Sequence, residues 1–248
     1  MARAADVRPT GTLYVVATPL GNLDDVTFRA VAVLKSVAAI AAEDTRRTRK
    51  LLSHFEIRTP LVSYHEHNEV AAARRIVRRL EDGDDVALVS DAGTPLIADP
   101  GYRLVALAAS EGMEIVPVPG AAAAVAALSV AGLPPVPFCF VGFLPRKSAA
   151  RKRRLEELAD LPATLIFYES PHRMSASLRD MCEVLGDRRA VIGRELTKVH
   201  EEIVRGGLAD LAEAGQGRSW RGEIVVLVAG ADRGRRDRGA PIGPTEVP

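Results

Sequence analysis

Short apolar runs alternate with helically spaced segments through the first half of this chain, and that alternation narrows the fold more than any other feature. Thr12 to Ala17, Val37 to Ala42, Leu61 to Tyr64, Val86 to Ser90 and Glu114 to Val118 read as strands; between them Val26 to Lys35, Arg46 to Phe55, Glu69 to Glu81 and Tyr102 to Glu111 read as helices. A βα series of this kind predicts a largely parallel sheet covered by helices. Such sheets hold ligands just beyond the carboxyl ends of their strands. The residues that follow each apolar run are therefore the first candidates for chemistry.

After Pro117-Val118-Pro119-Gly120 the pattern changes. Ala121 to Ala131 reads as a helix, and Phe138 to Gly142, Thr164 to Tyr168, Arg189 to Arg194, Glu201 to Gly206 and Glu223 to Ala229 read as strands, with helices near Arg151 to Leu158, Met174 to Leu185 and Leu208 to Ala214. Several of these strands follow one another with no helix between, which predicts a mixed sheet. The expected fold is a two-domain α/β protein with a parallel-sheet domain over 11–119, a mixed-sheet domain over 120–230 and a disordered Arg/Gly/Pro tail over 231–248. At 248 residues and 47% apolar content the chain can bury both cores.

Composition argues against several classes. Cys139 lies in an apolar run and Cys182 on an amphipathic helix, so neither a disulfide nor a cysteine zinc site is expected, and the cytoplasm is the expected compartment. Met1 to Gly11 has no apolar centre and does not read as a signal peptide. No charge occurs from Ile115 to Pro145, but Gly132, Pro134, Pro135 and Pro137 interrupt the run of about 20 apolar residues that a membrane helix requires. Formal charge is only +1, unevenly spread. Arg146, Lys147, Arg151, Lys152, Arg153 and Arg154 form one basic cluster, Arg46, Arg47, Arg49 and Lys50 a second, and Arg74, Arg75, Arg78 and Arg79 a third at helical spacing. The first two flank candidate site loops and suit a polyanion; the third, with Glu69 and Glu81 nearby, reads as a solvated helix face.

Three polar clusters sit at strand ends: Glu43-Asp44-Thr45-Arg46-Arg47-Thr48, Asp91-Ala92-Gly93-Thr94-Pro95 and Tyr168-Glu169-Ser170-Pro171-His172-Arg173. Taken alone, the Asp91 loop is as well explained by turn capping as by a ligand. A further loop, Thr18-Pro19-Leu20-Gly21-Asn22-Leu23-Asp24-Asp25, offers small residues and free N–H groups where an anionic group can approach. The dinucleotide fingerprint and the Walker A pattern are both absent. His65 and His67 alternate in a way that suits a metal, but no third ligand is evident, and they read better as part of a substrate groove; no metal is expected. His54 and His200 read as surface groups, whereas His172 falls within a strand-end loop.

ATPLGNLDD (Ala17 to Asp25), EDTRRT (Glu43 to Thr48), SDAGTPLIADPG (Ser90 to Gly101), FYESPHR (Phe167 to Arg173), GRELTK (Gly193 to Lys198) and GEIVVLVAG (Gly222 to Gly230) together resemble the tetrapyrrole methylase superfamily, and within it the small-subunit rRNA (cytidine-2′-O)-methyltransferase I family. The resemblance spans Gly11 to Gly230 in the expected order; EDTRRT and FYESPHR are specific to that branch. It implies a class III methyltransferase that binds S-adenosylmethionine between its domains, releases S-adenosylhomocysteine and acts as a homodimer on RNA of the small ribosomal subunit, with no role for DNA or a membrane. By position it assigns Leu20, Gly21, Asp91, Gly93, Thr94, Gly120, Ala121, Ala122, Tyr168 and Glu223 to the cofactor pocket. Ala121-Ala122 stands where the family often has Ser or Cys, and an Arg/Gly/Pro tail stands where longer members carry an additional small C-terminal domain.

Methyl transfer to a ribose hydroxyl needs alignment and a proton acceptor. Glu43, Asp44, Glu169 and His172 are the acceptor candidates, unranked by sequence. Arg46, Arg47 and Arg173, with Arg146, Lys147, Arg151 and Lys152, are the expected phosphate contacts. A small-molecule tetrapyrrole methylase would share the Asp91 and Gly120 loops without needing the basic run, and a non-catalytic RNA-binding protein would need the basic patches without the cofactor loops.

Overall fold

The computed structural model describes residues 10–232. The N-terminal segment and nearly all of the expected disordered tail lie outside the described residues. The first half builds β1 (Thr12–Val16), α1 (Phe28–Ser36), β2 (Ala39–Ala42), α2 (Thr45–His54), β3 (Leu61–Ser63), α3 (Glu69–Glu81), β4 (Val86–Val89), α4 (Tyr102–Ser110) and β5 (Glu114–Val118). These five strands form one sheet in the order β3-β2-β4-β1-β5, and every neighbouring pair is parallel. All four residues of β2 and of β4 are buried, the pattern of parallel strands covered on both faces. Leu13, Ile76, Leu80, Leu88 and Leu104 pack one face under α3 and α4; Val16, Leu34, Ile40, Leu52 and Val89 pack the other. Each such side chain contributes about 1.5–3 kcal/mol by leaving water.

The order of strands also fixes where a ligand fits. From β1 the chain crosses to β2 on one side, and from β4 it crosses to β5 on the other. The adjacent pair β1 and β4 is thus the switch point, and their diverging loops open a crevice.

The second half builds α5 (Ala123–Ala131), β6 (Phe138–Phe143), α6 (Ser148–Glu156), β7 (Thr164–Glu169), α7 (Met174–Leu185), β8 (Arg189–Arg194), β9 (Glu202–Gly207), α8 (Leu208–Ala214) and β10 (Ile224–Val228). Its sheet runs β6-β7-β10-β8-β9 and is mixed: β6 and β7 are parallel, while β10 is antiparallel to β7 and β8, and β8 to β9. The central strand β10, Ile-Val-Val-Leu-Val, is buried throughout. One face packs against α6, α7 and α8 through Leu155, Phe167, Met174, Leu178 and Leu211; α5 covers the other through Ala124, Ala127 and Leu128. The uncharged stretch is divided among β5, α5, a Pro-rich loop and β6, and no helix among the described residues is long and apolar enough to cross a membrane.

Candidate cofactor cleft and active site

A cavity of about 420 Å³ lies at the carboxyl ends of the first sheet, with Leu20, Glu43, Asp91, Gly93, Thr94 and Asp99 on one side and Tyr168, Leu196, Glu223 and Val225 of the second half on the other. That volume is within the range of small-molecule and cofactor sites.

On the first-sheet side, the loops after β1 and β4 are bonded together at the switch point. The Thr18 N–H donates to Gly93 O (2.8 Å), and the Gly93 N–H returns a bond to Thr18 O (3.0 Å). Gly93 has φ +79°, and a side chain there would press on Leu20 and the Ala121 carbonyl. The Thr94 hydroxyl donates to that same carbonyl (3.0 Å). Asp91 is structural as well as cavity-lining: its carboxylate accepts from the Asp44 N–H at 3.0 Å and lies 3.4 Å from Arg47. Gly120 is packed so tightly on Ala17 that a Cβ would sit 2.9 Å from its methyl group.

Two carboxyl groups in this wall are held away from their ordinary state. Burial, then the charges of Asp91 and Asp99, pushes Glu43 up to about 7, with Arg47 only partly offsetting them. Burial also raises Asp99 to about 6, reinforced by Asp91 and Glu223 and opposed by a hydrogen bond with Ser90. Asp99 reaches the cavity because its loop turns through left-handed backbone at Leu96 (φ 71°) and Ala98 (φ 70°), which for non-glycine residues is strained.

On the other side, the Tyr168 hydroxyl accepts a hydrogen bond from the Ala124 N–H (3.2 Å) in the first turn of α5. The N-cap Ala122 has no side chain able to cap that helix, so Tyr168, from the sheet α5 covers, satisfies one of its free donors. Phe140 and Phe143 meet the Tyr168 ring edge-on, at 4.9 and 5.8 Å between centroids. Glu223 is fixed by Lys198, whose ammonium bonds both Glu195 (2.8 Å) and Glu223 (3.1 Å). The stem of Lys198 lies over Gly21, where a Cβ would overlap it, so the halves also touch outside the cavity.

The acceptor candidates separate clearly. Glu43 faces the cavity. Asp44 caps α2 through the Arg46 N–H (2.8 Å) and binds the Arg46 guanidinium, whose hydrogen bond holds its carboxyl down at about 2. Glu169 is part of the cavity wall, but its side chain exposes no surface: Arg173 (2.5 Å) and the Ser177 hydroxyl (2.5 Å) enclose the carboxylate. His172 is exposed and does not line the cavity.

Several expected phosphate contacts need correction. Arg151 is 3% exposed; its guanidinium binds Asp180 on α7 (2.6 Å) and the carbonyls of Pro145 and Arg146, so it pins α6 to α7. Lys152 binds Glu183 (2.6 Å), and Arg173 is held by Glu169 and the Leu144 carbonyl. Arg46 and Arg47 remain largely exposed beside the cleft, at 84% and 60%, and Arg146 and Lys147 are exposed ahead of α6. His65 and His67 lie with ring centroids 5.9 Å apart, and no group of three metal-ligating side chains occurs among the described residues. Asp99, Ile97, Phe143 and Leu196 line the cavity without having been singled out from sequence.

A parallel α/β half and a mixed α/β half closing on a switch-point cavity define a class, and the family model described as Tetrapyrrole (Corrin/Porphyrin) Methylases matches residues 12–212. Cobalt precorrin-4 methyltransferase, a cobalamin biosynthetic enzyme, has the same fold (TM-score 0.67, 19% identity, 88% of this chain and 94% of that one), as does diphthine synthase (0.67, 15%, 88% and 90%). Identity is far higher to Ribosomal RNA small subunit methyltransferase I of Halalkalibacterium halodurans, 52% over 96% of this chain and 80% of the relative. The protein of that name from Pseudomonas aeruginosa is 54% identical over 93% and 83%. The chain belongs to this branch of the tetrapyrrole methylases, and it is a methyltransferase.

Proposed function

We propose that this protein transfers a methyl group from S-adenosylmethionine to the ribose 2′-hydroxyl of a cytidine in the decoding region of small-subunit ribosomal RNA. The observation that carries the reading is Glu43, a carboxyl group in the cavity wall raised to about 7, beside exposed arginines on the same helix start. A general base works best when its pKa lies near the operating pH.

The donor, which the family uses, supplies a methyl group on a cationic sulfonium that leaves without being protonated. The lining suits such a ligand. Asp91, Asp99 and Glu223 present negative charge to its cationic groups, and Leu20, Ile97, Phe143 and Leu196 offer apolar surface for a planar base. Glu43 accepts the hydroxyl proton, while Arg46 and Arg47 draw the flanking phosphates to the rim. The halves act as an N-terminal unit over 11–119 and a C-terminal unit over 120–230. Val125, Val130, Val136 and Phe138, apolar and exposed within one stretch around α5 and β6, support a homodimer. A cytoplasmic site of action follows from a ribosomal substrate.

Transfer of labelled methyl from S-adenosylmethionine to small ribosomal subunits lacking the modification is the test. Label in the ribose of a cytidine is expected. Label confined to a small tetrapyrrole, or none in RNA, would overturn the proposal.

A further inference from the structure

A second concavity of about 830 Å³ lies on the outer side of the first domain, between the start of α3 and the start of α4. Arg74, Arg75, Arg78 and Arg103 line it together with His67 and Asn68. Arg103 is paired with Glu69 (3.1 Å), and the adjacent Arg79 with Asp84 (2.8 Å). Arg74, Arg75 and Arg78 are exposed and have no ion-pair partner among the described residues, although Glu66 shares the groove. Their i, i+1 and i+4 spacing sets them along one side of α3, with Arg74 and Arg78 about 5–6 Å apart at Cβ.

The groove is joined to the cleft through a single loop. Glu69, on its floor, accepts from the Gly101 N–H (3.3 Å) and from the Tyr64 hydroxyl (3.3 Å). Gly101 follows directly on the segment whose Ile97 and Asp99 form the cavity wall. Next to it Tyr102 opens α4 with 74% of its surface exposed, one position before the groove-lining Arg103. Exposed cations outside any ion pair, near an open aromatic on the next helix, are the chemistry of single-stranded RNA: phosphates take the cations and a base stacks on the ring.

We propose that this groove holds the RNA chain leading away from the reacting nucleotide, with Arg74, Arg75 and Arg78 on its phosphates and Tyr102 under a base. The proposal rests on RNA being the substrate. The helix face that sequence reads as merely solvated is then a second grip, separate from the cleft and from the Arg46 and Arg47 rim.

The test compares the parent with a triple variant, Arg74→Gln, Arg75→Gln and Arg78→Gln, using small ribosomal subunits for turnover and a single-stranded fragment of their RNA for binding. Three lost phosphate contacts should flatten the slope of log affinity against log salt by about 2 and weaken RNA binding about tenfold or more. KM for the subunit should rise with kcat, S-adenosylhomocysteine affinity and melting temperature unchanged. A triple lysine variant should keep the parent's slope, which separates charge from packing, and Tyr102→Ala should weaken binding without altering the slope. A glutamine variant whose slope and KM match the parent would overturn the groove as an RNA site while leaving the proposed function standing. A parent that labels no RNA would sink both.

Discussion

The two Glu-and-Arg clusters, one after β2 and one after β7, are built from the same residue types at equivalent strand ends and end in opposite electrostatic states. Around Glu43 the arginines stay largely exposed and pair elsewhere, Arg46 with Asp44 and Arg47 with Asp91, acid gathers at Asp91 and Asp99, and the carboxyl group rises to about 7. Around Glu169 the arginine folds inward, and Arg173 with Ser177 encloses the carboxylate completely. An unneutralised carboxyl group in a cavity destabilises the fold and is poised to exchange a proton; a neutralised buried one holds β7 to α7. Residue type and placement at a strand end therefore do not separate an unpaired carboxyl group from a paired one, whereas the partner of the neighbouring arginine does.

Glu43→Gln gives the largest expected effect and the sharpest contrast. It should lower methyl transfer by about 10²–10⁴, the usual contribution of a general base, with S-adenosylhomocysteine affinity within a few-fold of the parent. Single-turnover transfer and calorimetric titration of the product measure the two. Activity near the parent's level would mean that alignment alone carries the reaction.

Glu169→Gln should fail differently. Removing one partner of a buried pair leaves Arg173 uncompensated and lowers stability by about 3–5 kcal/mol. Urea unfolding should show the midpoint fall, while the folded fraction keeps kcat within a few-fold. A stable Glu169→Gln variant without activity would invert the comparison and make Glu169 the base.

Much of this arrangement was legible in the chain. Apolar runs and turn residues mark the strands to within about two positions, and the three polar clusters do lie at strand ends, because local pattern determines both. What was hidden depends on contacts distant in sequence. Arg151 looked like part of a basic face, yet its partner Asp180 lies 29 positions away on α7. The sign was present: Arg151, Leu155 and Leu158 follow the i, i+4, i+7 spacing of a buried stripe. Asp99 had no such sign. Its approach to Asp91 depends on left-handed turns at Leu96 and Ala98, residues that do not favour that backbone. The replacement of a helix cap by Tyr168 was likewise invisible, since its partner lies 44 positions away in sequence.

The pH response sharpens the contrast further. If Glu43 must be ionised, kcat should rise about tenfold per unit below pH 7 and level off above it; Glu43→Gln should erase that limb. Stability runs the other way. The folded value of about 7 exceeds the ordinary 4.5, so the folded state holds the proton more tightly. Glu43 therefore destabilises the fold increasingly from pH 4.5 to 7 and fully above it. Glu43→Gln should melt higher than the parent at pH 8, with the gap closing by pH 4. A gap that widened toward acid would show that Glu43 is neutralised in the fold, as Glu169 is.

Tyr168 is the point at which the comparison can be broken most gently, because its hydroxyl bonds the start of α5 at the edge of the cavity. Burial raises its pKa, so the hydroxyl remains protonated and its oxygen accepts from the Ala124 N–H. Tyr168→Phe keeps the ring packed on Phe140 and Phe143 and removes only that acceptor. An ordinary hydrogen bond contributes about 0.5–1.5 kcal/mol, so the unfolding midpoint should fall by about that amount, and product affinity by less than tenfold. Calorimetry on the variant checks both. A loss of affinity well beyond tenfold with unchanged stability would mean that the hydroxyl touches the cofactor directly. The β7 cluster would then share in the work of the site, which the proposed reading leaves to Glu43.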